Sequence, residues 1–266
     1  MARRSYQGKT VVITGGAGGL GAAFARRFDA AGARVALLDL DGEAAQARAA
    51  SLGQALGLAC DVTDPAACQG AMEQVIQRLG GVDLLVNNAG VTHRSAFAAT
   101  RPEVFAKVMG VNYFGSLHCT LAALPSLLAR RGQIAVISSV AGVAPLYGRS
   151  GYAAAKHALH GLFDTLRAEL AASGVSVTIL CPGFTGTGIA KAALDGDGSL
   201  TTHRQSTVGR IATPEEVAEA LYRAVAKEKR LVVLSLIGKL TYFINKLCPA
   251  LYQKLMLRSL KSELER

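Results

Sequence analysis

Short apolar runs alternate with stretches of helical periodicity along most of the chain. The runs show little alternation of polar and apolar residues, as expected of strands that helices cover on both faces. A regular succession of strands and helices predicts a parallel sheet. We therefore predict an α/β fold with a single doubly wound parallel sheet of about seven strands and helices on both faces. The predicted strands are 10–14, 34–39, 55–61, 82–87, 133–138, 175–181 and 231–234.

The helical stretches lie between these strands, and two more follow the last strand. The length of 266 residues fits one domain that buries a full core. We assign residues 7–234 to the α/β core and residues 235–266 to an amphipathic C-terminal extension. The predicted core helices are 20–31, 43–52, 65–79, 102–128 with breaks at Gly110 and Gly115, 152–172 and 215–226.

The net charge of +10 is concentrated at the two ends of the chain. Residues 227–266 contain nine Lys or Arg and three Asp or Glu, whereas the middle is nearly neutral. A nucleic-acid binder presents a continuous basic face, so we expect no nucleic-acid partner. The basic ends suit an acidic partner, an anionic membrane surface or the phosphates of a cofactor.

The five cysteines are widely spaced, and neither they nor the five histidines form a metal-ligand pattern. We therefore expect reduced thiols in a cytoplasmic protein and no metal site. The residues before the first predicted strand contain no apolar stretch, so we expect no signal peptide.

A glycine-rich turn, TGGAGGLG over residues 14–21, joins the first strand to the first helix. Glycine lets the backbone approach a pyrophosphate closely, and the following helix N-terminus offers free N–H groups. Such a turn can also be an ordinary tight connection, but its place between strand and helix favours dinucleotide binding. We expect Gly15, Gly19, Leu20 and Gly21 to contact the cofactor.

Asp39 ends the second predicted strand, 18 residues after Gly21. A carboxylate there can accept hydrogen bonds from both ribose hydroxyls of an adenosine and would repel a 2′-phosphate. Leu40 follows in place of a basic residue, so we predict NAD rather than NADP as the cofactor. The alternative is that Asp39 only caps the following helix.

Polar groups also end the third and fourth predicted strands, at the sheet edge where parallel sheets bind ligands. Asp61 and Val62 follow the third strand, and Asn88, Ala89 and Gly90 follow the fourth. Each group could be ordinary turn chemistry. The occurrence of both groups in this order along the chain favours contacts to an adenine and a ribose.

Tyr152 and Lys156 lie four residues apart on one predicted helix and therefore share a face. A free tyrosine ionises at about pH 10, and a nearby ammonium lowers that pKa. Ser139 could hydrogen-bond the substrate oxygen, and Asn112 could hold a water that links Lys156 to solvent. A Tyr-x-x-x-Lys pair alone occurs by chance on many helices, but the set of four predicts a catalytic group.

These motifs, in this order, resemble those of the classical short-chain dehydrogenase/reductase family. The likeness covers roughly residues 7–234 and rests on the glycine turn, Asn-Asn-Ala-Gly at 87–90, Asn112, Ser139, Tyr152-x-x-x-Lys156, and Pro182-Gly183 followed by Thr187. It implies a single Rossmann-type domain, NAD(P), and a Ser-Tyr-Lys-Asn tetrad in which Tyr152 is the acid/base.

The resemblance also implies further contacts and an assembly. Tyr152 and Lys156 would hold the nicotinamide ribose, and the segment with Pro182, Gly183, Thr185 and Thr187 would line the nicotinamide. Family members usually form dimers or tetramers through two long helices, here near 102–128 and 152–172. We therefore expect a homodimer or homotetramer.

Two segments, 141–151 and 184–210, should shape the substrate pocket. The first is fairly apolar, and the second has glycine hinges typical of a mobile lid. An apolar wall favours a hydrophobic small molecule, such as a steroid, a fatty-acyl chain or another lipid-like alcohol or ketone. The expected substrate residues are Ser139, Val143, Tyr147, Tyr152 and Phe184.

The C-terminal extension carries two amphipathic helical patterns separated by Pro249. Its lysines and arginines argue against a membrane-spanning helix. It could lie peripherally on an anionic membrane surface, or pack over the pocket or against another subunit. The pattern is similar to the tails of lipid- and steroid-active members of the family.

The sequence leaves three functions open. The first is an oxidoreductase that transfers a hydride between NAD(H) and a hydrophobic secondary alcohol or its ketone. The second is an NADPH-dependent 3-oxoacyl-thioester reductase, whose acidic carrier would meet the basic ends but which the missing basic residue near the ribose disfavours. The third is a non-catalytic dinucleotide-binding scaffold or redox sensor, against which the intact tetrad argues.

Overall fold

Seven strands, all parallel, form one sheet in the computed structural model, which describes residues 4–264. The strands are β1 (Thr10–Thr14), β2 (Arg34–Asp39), β3 (Ala55–Ala59), β4 (Leu84–Asn87), β5 (Gln133–Ile137), β6 (Ser176–Cys181) and β7 (Leu231–Val233). Their order across the sheet is β3-β2-β1-β4-β5-β6-β7. The predicted doubly wound α/β fold is thus confirmed. Because the order reverses between β1 and β4, a ligand crevice opens at the carboxyl ends of these two strands.

Helices cover both faces of the sheet and enclose one apolar cluster on each side. The helices are α1 (Gly19–Asp29), α2 (Gly42–Ala50), α3 (Pro65–Leu79), α4 (Pro102–Met109), α5 (Gly115–Arg130), α6 (Ser150–Glu169), α7 (Pro214–Ala226), α8 (Leu236–Leu247) and α9 (Pro249–Leu260). One cluster contains Phe28 of α1 and Leu221 of α7, and the other contains Met72 of α3 and Phe163 of α6. Burial on both faces explains why the strands are apolar throughout.

Local signals set the ends of several helices. Asp64 caps the start of α3, Pro65 occupies its first position, and Gly80 ends it with a φ of 78°. Thr213 and Glu216 form a reciprocal capping box at the start of α7. Each such cap satisfies backbone groups that a helix terminus otherwise leaves without partners.

The α-helix over 102–128 is interrupted at the two predicted glycines, because α4 ends at Met109 and α5 begins at Gly115. A π-helical turn over 110–114 joins α4 to α5 and contains Asn112. Gly115 serves close packing, because a Cβ there would lie 2.6 Å from Val62 Cγ2. π-helical turns within α-helices are frequent at functional sites.

Asp83 immediately precedes β4 and hydrogen-bonds to the first residues of β1 and β5, at the edge of the sheet opposite the crevice. Its carboxylate accepts hydrogen bonds from the Thr10 N–H at 2.9 Å and from Arg130 Nη2 at 3.0 Å. Its backbone carbonyl accepts a further bond from the Gln133 N–H at 2.8 Å. Burial opposes ionisation, but the hydrogen bonds outweigh it and hold the pKa of Asp83 below its usual value.

The helices α8 and α9 fold back over residues 140–149. Asn245 Nδ2 donates to the Val143 carbonyl at 3.2 Å, and the Tyr252 hydroxyl donates to the Pro145 carbonyl at 2.7 Å. The other side of α8 is apolar and exposed through Leu236, Leu240, Phe243 and Leu247. Within residues 4–264, no helix has both the length and the apolarity needed to cross a bilayer.

Candidate active site

The glycine-rich turn between β1 and α1 is tightly folded. Gly15 and Gly19 have φ angles of 62° and 53°, which favour glycine. A Cβ at Gly21 would lie 2.0 Å from the Gly15 carbonyl oxygen, so no larger residue fits there. No side chain caps the start of α1 at Gly18, which leaves a helix N-terminus suited to an anion. Leu20, the remaining predicted cofactor residue of the turn, lies in the first turn of this helix.

Asp39 lies beside this turn at the end of β2. One of its carboxylate oxygens accepts a hydrogen bond from the Ala17 N–H at 2.9 Å, and the other accepts one from the Asp41 N–H at 3.2 Å. Asp41, rather than Asp39, caps α2 by accepting from the Ala44 N–H. Asp39 is therefore not the helix cap, and the glycine turn orients its carboxylate toward the crevice edge.

The Thr14 side chain connects the end of β1 to the end of β4 through hydrogen bonds. Its hydroxyl oxygen accepts hydrogen bonds from the N–H groups of Asn88 and Ala89 at 2.9 and 3.0 Å. The Asn88 side-chain amide donates in turn to the carbonyls of Thr14 and Gly15 at 2.9 and 3.1 Å. These bonds place Asn88, Ala89 and Gly90 at the same edge as the glycine turn.

Asp61 and Val62 follow β3 and have different surroundings. The exposed Asp61 carboxylate accepts hydrogen bonds from the N–H and the hydroxyl of Thr63, at 2.9 and 2.7 Å. Val62 is buried and packs against Gly115. Local turn chemistry, the alternative considered for this motif, accounts for these contacts of Asp61.

Tyr152 and Lys156 lie in the first turns of α6, with Lys156 Nζ 5.6 Å from the centre of the Tyr152 ring. The Lys156 side chain is buried and donates to the Ile137 carbonyl at 2.9 Å. Burial lowers the pKa of Lys156 to about 8. Burial also raises the pKa of Tyr152, although the adjacent Ser139 hydroxyl and the charge of Arg149 oppose that shift.

The direction of the pKa shift at Tyr152 is opposite to the one expected from a nearby ammonium alone. The cost of burying a phenolate outweighs the favourable groups around it. Tyr152 is therefore a protonated phenol at neutral pH in this arrangement. A protonated phenol at the crevice can donate a proton to an oxygen of a bound molecule.

Asn112 lies fully buried in the π-helical turn. Its Nδ2 donates to the carbonyls of Val91 and Val108, both at 2.8 Å, whereas its Oδ1 is buried without a hydrogen-bond partner among residues 4–264. A Cβ at Gly90 would lie 2.7 Å from this Oδ1 and 3.6 Å from Lys156 Nζ. Gly90 thus keeps open a small space between an acceptor and a donor, which suits a bridging water.

The segment after β6 returns to the glycine turn. The Pro182 carbonyl accepts a hydrogen bond from the Val140 N–H at 3.2 Å, just beyond Ser139. Farther along, a Cβ at Gly19 would lie 3.6 Å from Thr187 Cβ. The segment therefore spans the crevice from the tetrad to the start of α1. Its predicted cofactor residues are Pro182, Gly183, Thr185 and Thr187.

The predicted substrate residues lie on two walls. Ser139 lies two residues after the end of β5, and its hydroxyl oxygen accepts a hydrogen bond from the Ala141 N–H at 3.1 Å. Val143 and Tyr147 are half-buried in residues 140–149, beneath the C-terminal helices, and Phe184 is half-buried in the segment after β6. The tail helices thus cover the wall that carries Val143 and Tyr147.

His93 is a buried residue that sequence reasoning did not assign. Its Nε2 accepts a hydrogen bond from the Gly151 N–H at 2.9 Å, and its Nδ1 lies 3.0 Å from the Ser95 hydroxyl. Burial, with the charge of Arg149, lowers the pKa of His93 to about 4. Neutral His93 therefore ties the chain after β4 to the start of α6. No motif marked it, because its partner is 58 residues away.

Two buried arginines, Arg94 and Arg149, also lie next to this site and pair with the buried Glu263. Sequence reasoning missed all three, because Arg149 and Glu263 are 114 residues apart. Within residues 4–264, no three His, Cys, Asp or Glu side chains are grouped so that they could hold a metal ion.

A glycine turn and a carboxylate at the carboxyl ends of a parallel sheet, together with a Tyr-Lys pair on an adjacent helix, are features of a dinucleotide-binding oxidoreductase. The family model described as short chain dehydrogenase matches residues 9–197. The chain belongs to this family, which confirms the resemblance seen in the sequence, and it is an oxidoreductase.

Similar proteins support this assignment over nearly the whole chain. Dehydrogenase/reductase SDR family member 7B from Bos taurus is 38% identical over 98% of this chain and 84% of its own length. The 7-like protein of Drosophila melanogaster is 35% identical over 94% and 80%. The crystal structure of a short chain dehydrogenase/reductase from Burkholderia phymatum in complex with NAD has a TM-score of 0.82 at 27% identity and covers 91% of this chain and 94% of that one.

His93 should make stability depend on pH between about 6.5 and 4. The unfolded state gains a proton on this histidine below its usual pKa of 6.5, whereas the folded state gains it only near pH 4. The free energy of unfolding should therefore fall as the pH drops through this window, by up to roughly 3 kcal/mol. Urea titrations across the window measure this slope. His93→Gln, whose amide still accepts from Gly151 but does not titrate, should lose part of the slope; identical slopes would contradict the assignment.

Proposed function

We propose that the protein transfers a hydride between NAD(H) and a hydrophobic secondary alcohol or its ketone, such as a steroid or another lipid-like molecule. The observation that carries the proposal is the cluster of Tyr152, Lys156, Ser139 and Asn112 at the carboxyl end of the sheet, beside the glycine turn. The NAD complex of the Burkholderia phymatum relative supports the choice of cofactor.

The residues around the crevice fit a dinucleotide. Gly21 admits only a glycine, which keeps the turn close-packed for a pyrophosphate at the N-terminus of α1. Asp39 would accept from the adenosine ribose hydroxyls and disfavour a 2′-phosphate. The nicotinamide ribose would lie by Lys156, and Thr187 would contact the carboxamide.

NAD(H), when bound, supplies the hydride acceptor or donor, and the residues of this chain would donate or accept the proton. The Ser139 hydroxyl would donate a hydrogen bond to the substrate oxygen and orient it. Tyr152, kept protonated by burial, would give its proton to a ketone oxygen during reduction. Lys156 and the open space at Asn112 Oδ1 would return a proton from solvent. In the oxidative direction Tyr152 must first lose its proton, which the nearby cations favour.

An NADPH-dependent 3-oxoacyl-thioester reductase remains the second candidate. The basic residues of the tail favour it, because they could meet an acidic carrier protein. The Asp39 carboxylate beside the glycine turn argues against it, since it would repel the 2′-phosphate of NADPH. A non-catalytic scaffold is the third candidate, and the test of Tyr152 below separates it from both enzymes.

Tyr152→Phe should abolish turnover while leaving cofactor binding intact. Removing the phenolic proton removes general acid/base catalysis, which contributes about 10²–10⁴-fold. The measurement is NADH oxidation with 2-octanone, 2-octanol oxidation in reverse, and NADH binding by calorimetry. Tyr222→Phe on α7, far from the crevice, is the matched control and should keep wild-type activity. A fully active Tyr152→Phe would rule out the proposed role, and turnover of a 3-oxoacyl thioester with NADPH alone would favour the second candidate.

Asp39→Ala should weaken NAD binding and improve NADP binding. The variant loses charge-assisted hydrogen bonds to the ribose hydroxyls, a cost of about tenfold or more in Kd for NAD. Calorimetry with both cofactors measures the change. Asp41→Ala is the matched control, because Asp41 is two residues away and only caps α2. Tighter binding of NADP than of NAD by the wild-type protein would sink the assignment of Asp39.

We further propose that the protein is cytoplasmic, which its five free thiols support, and that its exposed apolar side chains make two contacts. Exposed Phe114, Leu121 and Leu128 support a homodimer or homotetramer through α5 and α6. The exposed apolar face of α8 and the lysines near it support peripheral contact with an anionic membrane surface.

Light scattering should give a dimer or tetramer mass, and the protein should float with phosphatidylglycerol vesicles but not with phosphatidylcholine vesicles. A monomer that floats with neither would contradict both contacts.

A further inference from the structure

The C-terminal tail is seated along one wall of the pocket. Besides the two hydrogen bonds from α8 and α9 to this wall, Leu264 packs on Gly148: a Cβ at Gly148 would lie 3.0 Å from Leu264 Cδ1. Gly148 has a φ of 69°, so the backbone bends there where the tail meets it. The tail therefore contacts the wall that carries Val143 and Tyr147 at Val143, Pro145 and Gly148.

Glu263 is the charged residue at the end of this tail, and its side chain is fully buried. Its two carboxylate oxygens accept hydrogen bonds from Arg149 Nη1 and Nη2, both at 2.8 Å, in the bidentate geometry that makes such pairs strong. Glu263 Oε1 also accepts a hydrogen bond from the Ser206 N–H at 2.6 Å. The same oxygen lies 3.7 Å from Arg94 Nε, whose guanidinium is equally buried.

The partners of Glu263 belong to the two segments that are predicted to shape the substrate pocket. Arg149 immediately precedes α6 and donates to the Tyr147 carbonyl at 3.0 Å, three residues before Tyr152. Ser206 lies in the substrate loop, which we define as residues 184–212. Arg94 extends the connection, because its guanidinium donates to the carbonyls of Ala190 and His203 in the same loop. A single carboxylate thus joins the catalytic wall to the substrate loop.

Burying these charged groups destabilises the fold unless Glu263, Arg94 and Arg149 are all in place. Two guanidiniums buried without a carboxylate would be destabilised by desolvation and by mutual repulsion. The substrate loop can therefore close against the catalytic wall in this form only when Glu263 is seated between them. A loop that is already ordered over the pocket improves substrate binding, because less conformational entropy is lost when the substrate binds.

We propose that Glu263 is a positioning residue for the oxidoreductase reaction, a role that rests on the proposed function. Its carboxylate holds the substrate loop against the catalytic wall and so keeps the pocket for the hydrophobic substrate formed. It does not touch the cofactor half of the crevice, which is built from β1, β2 and α1. Losing it should weaken substrate binding and leave cofactor binding unchanged.

The test compares Glu263→Gln with Glu219→Gln. Glu219 also pairs with two arginines, Arg27 and Arg223, but on the outer surface of α1 and α7. In Glu263→Gln, amide hydrogen exchange of residues 201–212 should be about tenfold faster, as expected for loss of charge-assisted hydrogen bonds. The KM for 2-octanone should rise by a similar factor, while kcat and the Kd for NADH stay within about threefold of wild type. Glu219→Gln should change none of these values.

Glu263→Asp provides the second variant, because it keeps the buried charge but is one methylene too short to reach both walls. It should show intermediate exchange in the loop, and it decides the question if Glu263→Gln fails to fold. Wild-type exchange in the loop and a wild-type KM in these variants would overturn the proposal. If the wild-type protein turns over no alcohol or ketone, the proposed function fails separately, and loop exchange alone shows whether Glu263 holds the two walls together.

Discussion

The hydroxyl of Thr14 is the contact on which the geometry of the site depends. It accepts from two consecutive backbone amides after β4 and so fixes the end of β4 against the end of β1. The sheet order reverses between these two strands. The glycine turn on one side, and the chain that leads through Gly90 to the tetrad on the other, start from this junction. The pairing of β1 with β4 ends at Ile13 and Val86, so the Thr14 hydroxyl provides the connection beyond the paired residues.

Burial then determines the charge states of the catalytic pair. It raises the pKa of Tyr152 and lowers that of Lys156, so both shifts favour the uncharged forms. The two pKa values, nearly equal in water, are consequently farther apart in the protein, and Tyr152 holds its proton more tightly than Lys156 does. Ser139 and Arg149 moderate the shift at the tyrosine, and the unpartnered Asn112 Oδ1 offers an acceptor for the proposed proton relay.

The strands, most helices and the shared helix face of Tyr152 and Lys156 were predictable because each depends on a local pattern. Apolar runs mark strands that are covered on both sides, and Tyr152 and Lys156 share a helix face by spacing alone. The interruption at Gly110 and Gly115 was predictable, but the π-helical turn between them was not, because no local residue pattern specifies such a turn. The pKa of Tyr152 was misjudged, because desolvation depends on the folded surroundings. His93, Arg94, Arg149 and Glu263 escaped notice since their contacts join distant parts of the chain and leave no periodic signature.

The buried carboxylate at the end of the tail has a consequence for recombining this enzyme with its relatives. Segments that bind substrates are often exchanged between homologous proteins as single loops. Here the loop over 184–212 is fastened by a residue from the tail and by arginines that precede α4 and α6. A chimera that takes the loop from one homologue and the tail from another would leave Glu263 or its arginine partners without a charged partner. On the proposed role of Glu263, substrate preference depends on three separate stretches of the chain, which would have to be inherited together.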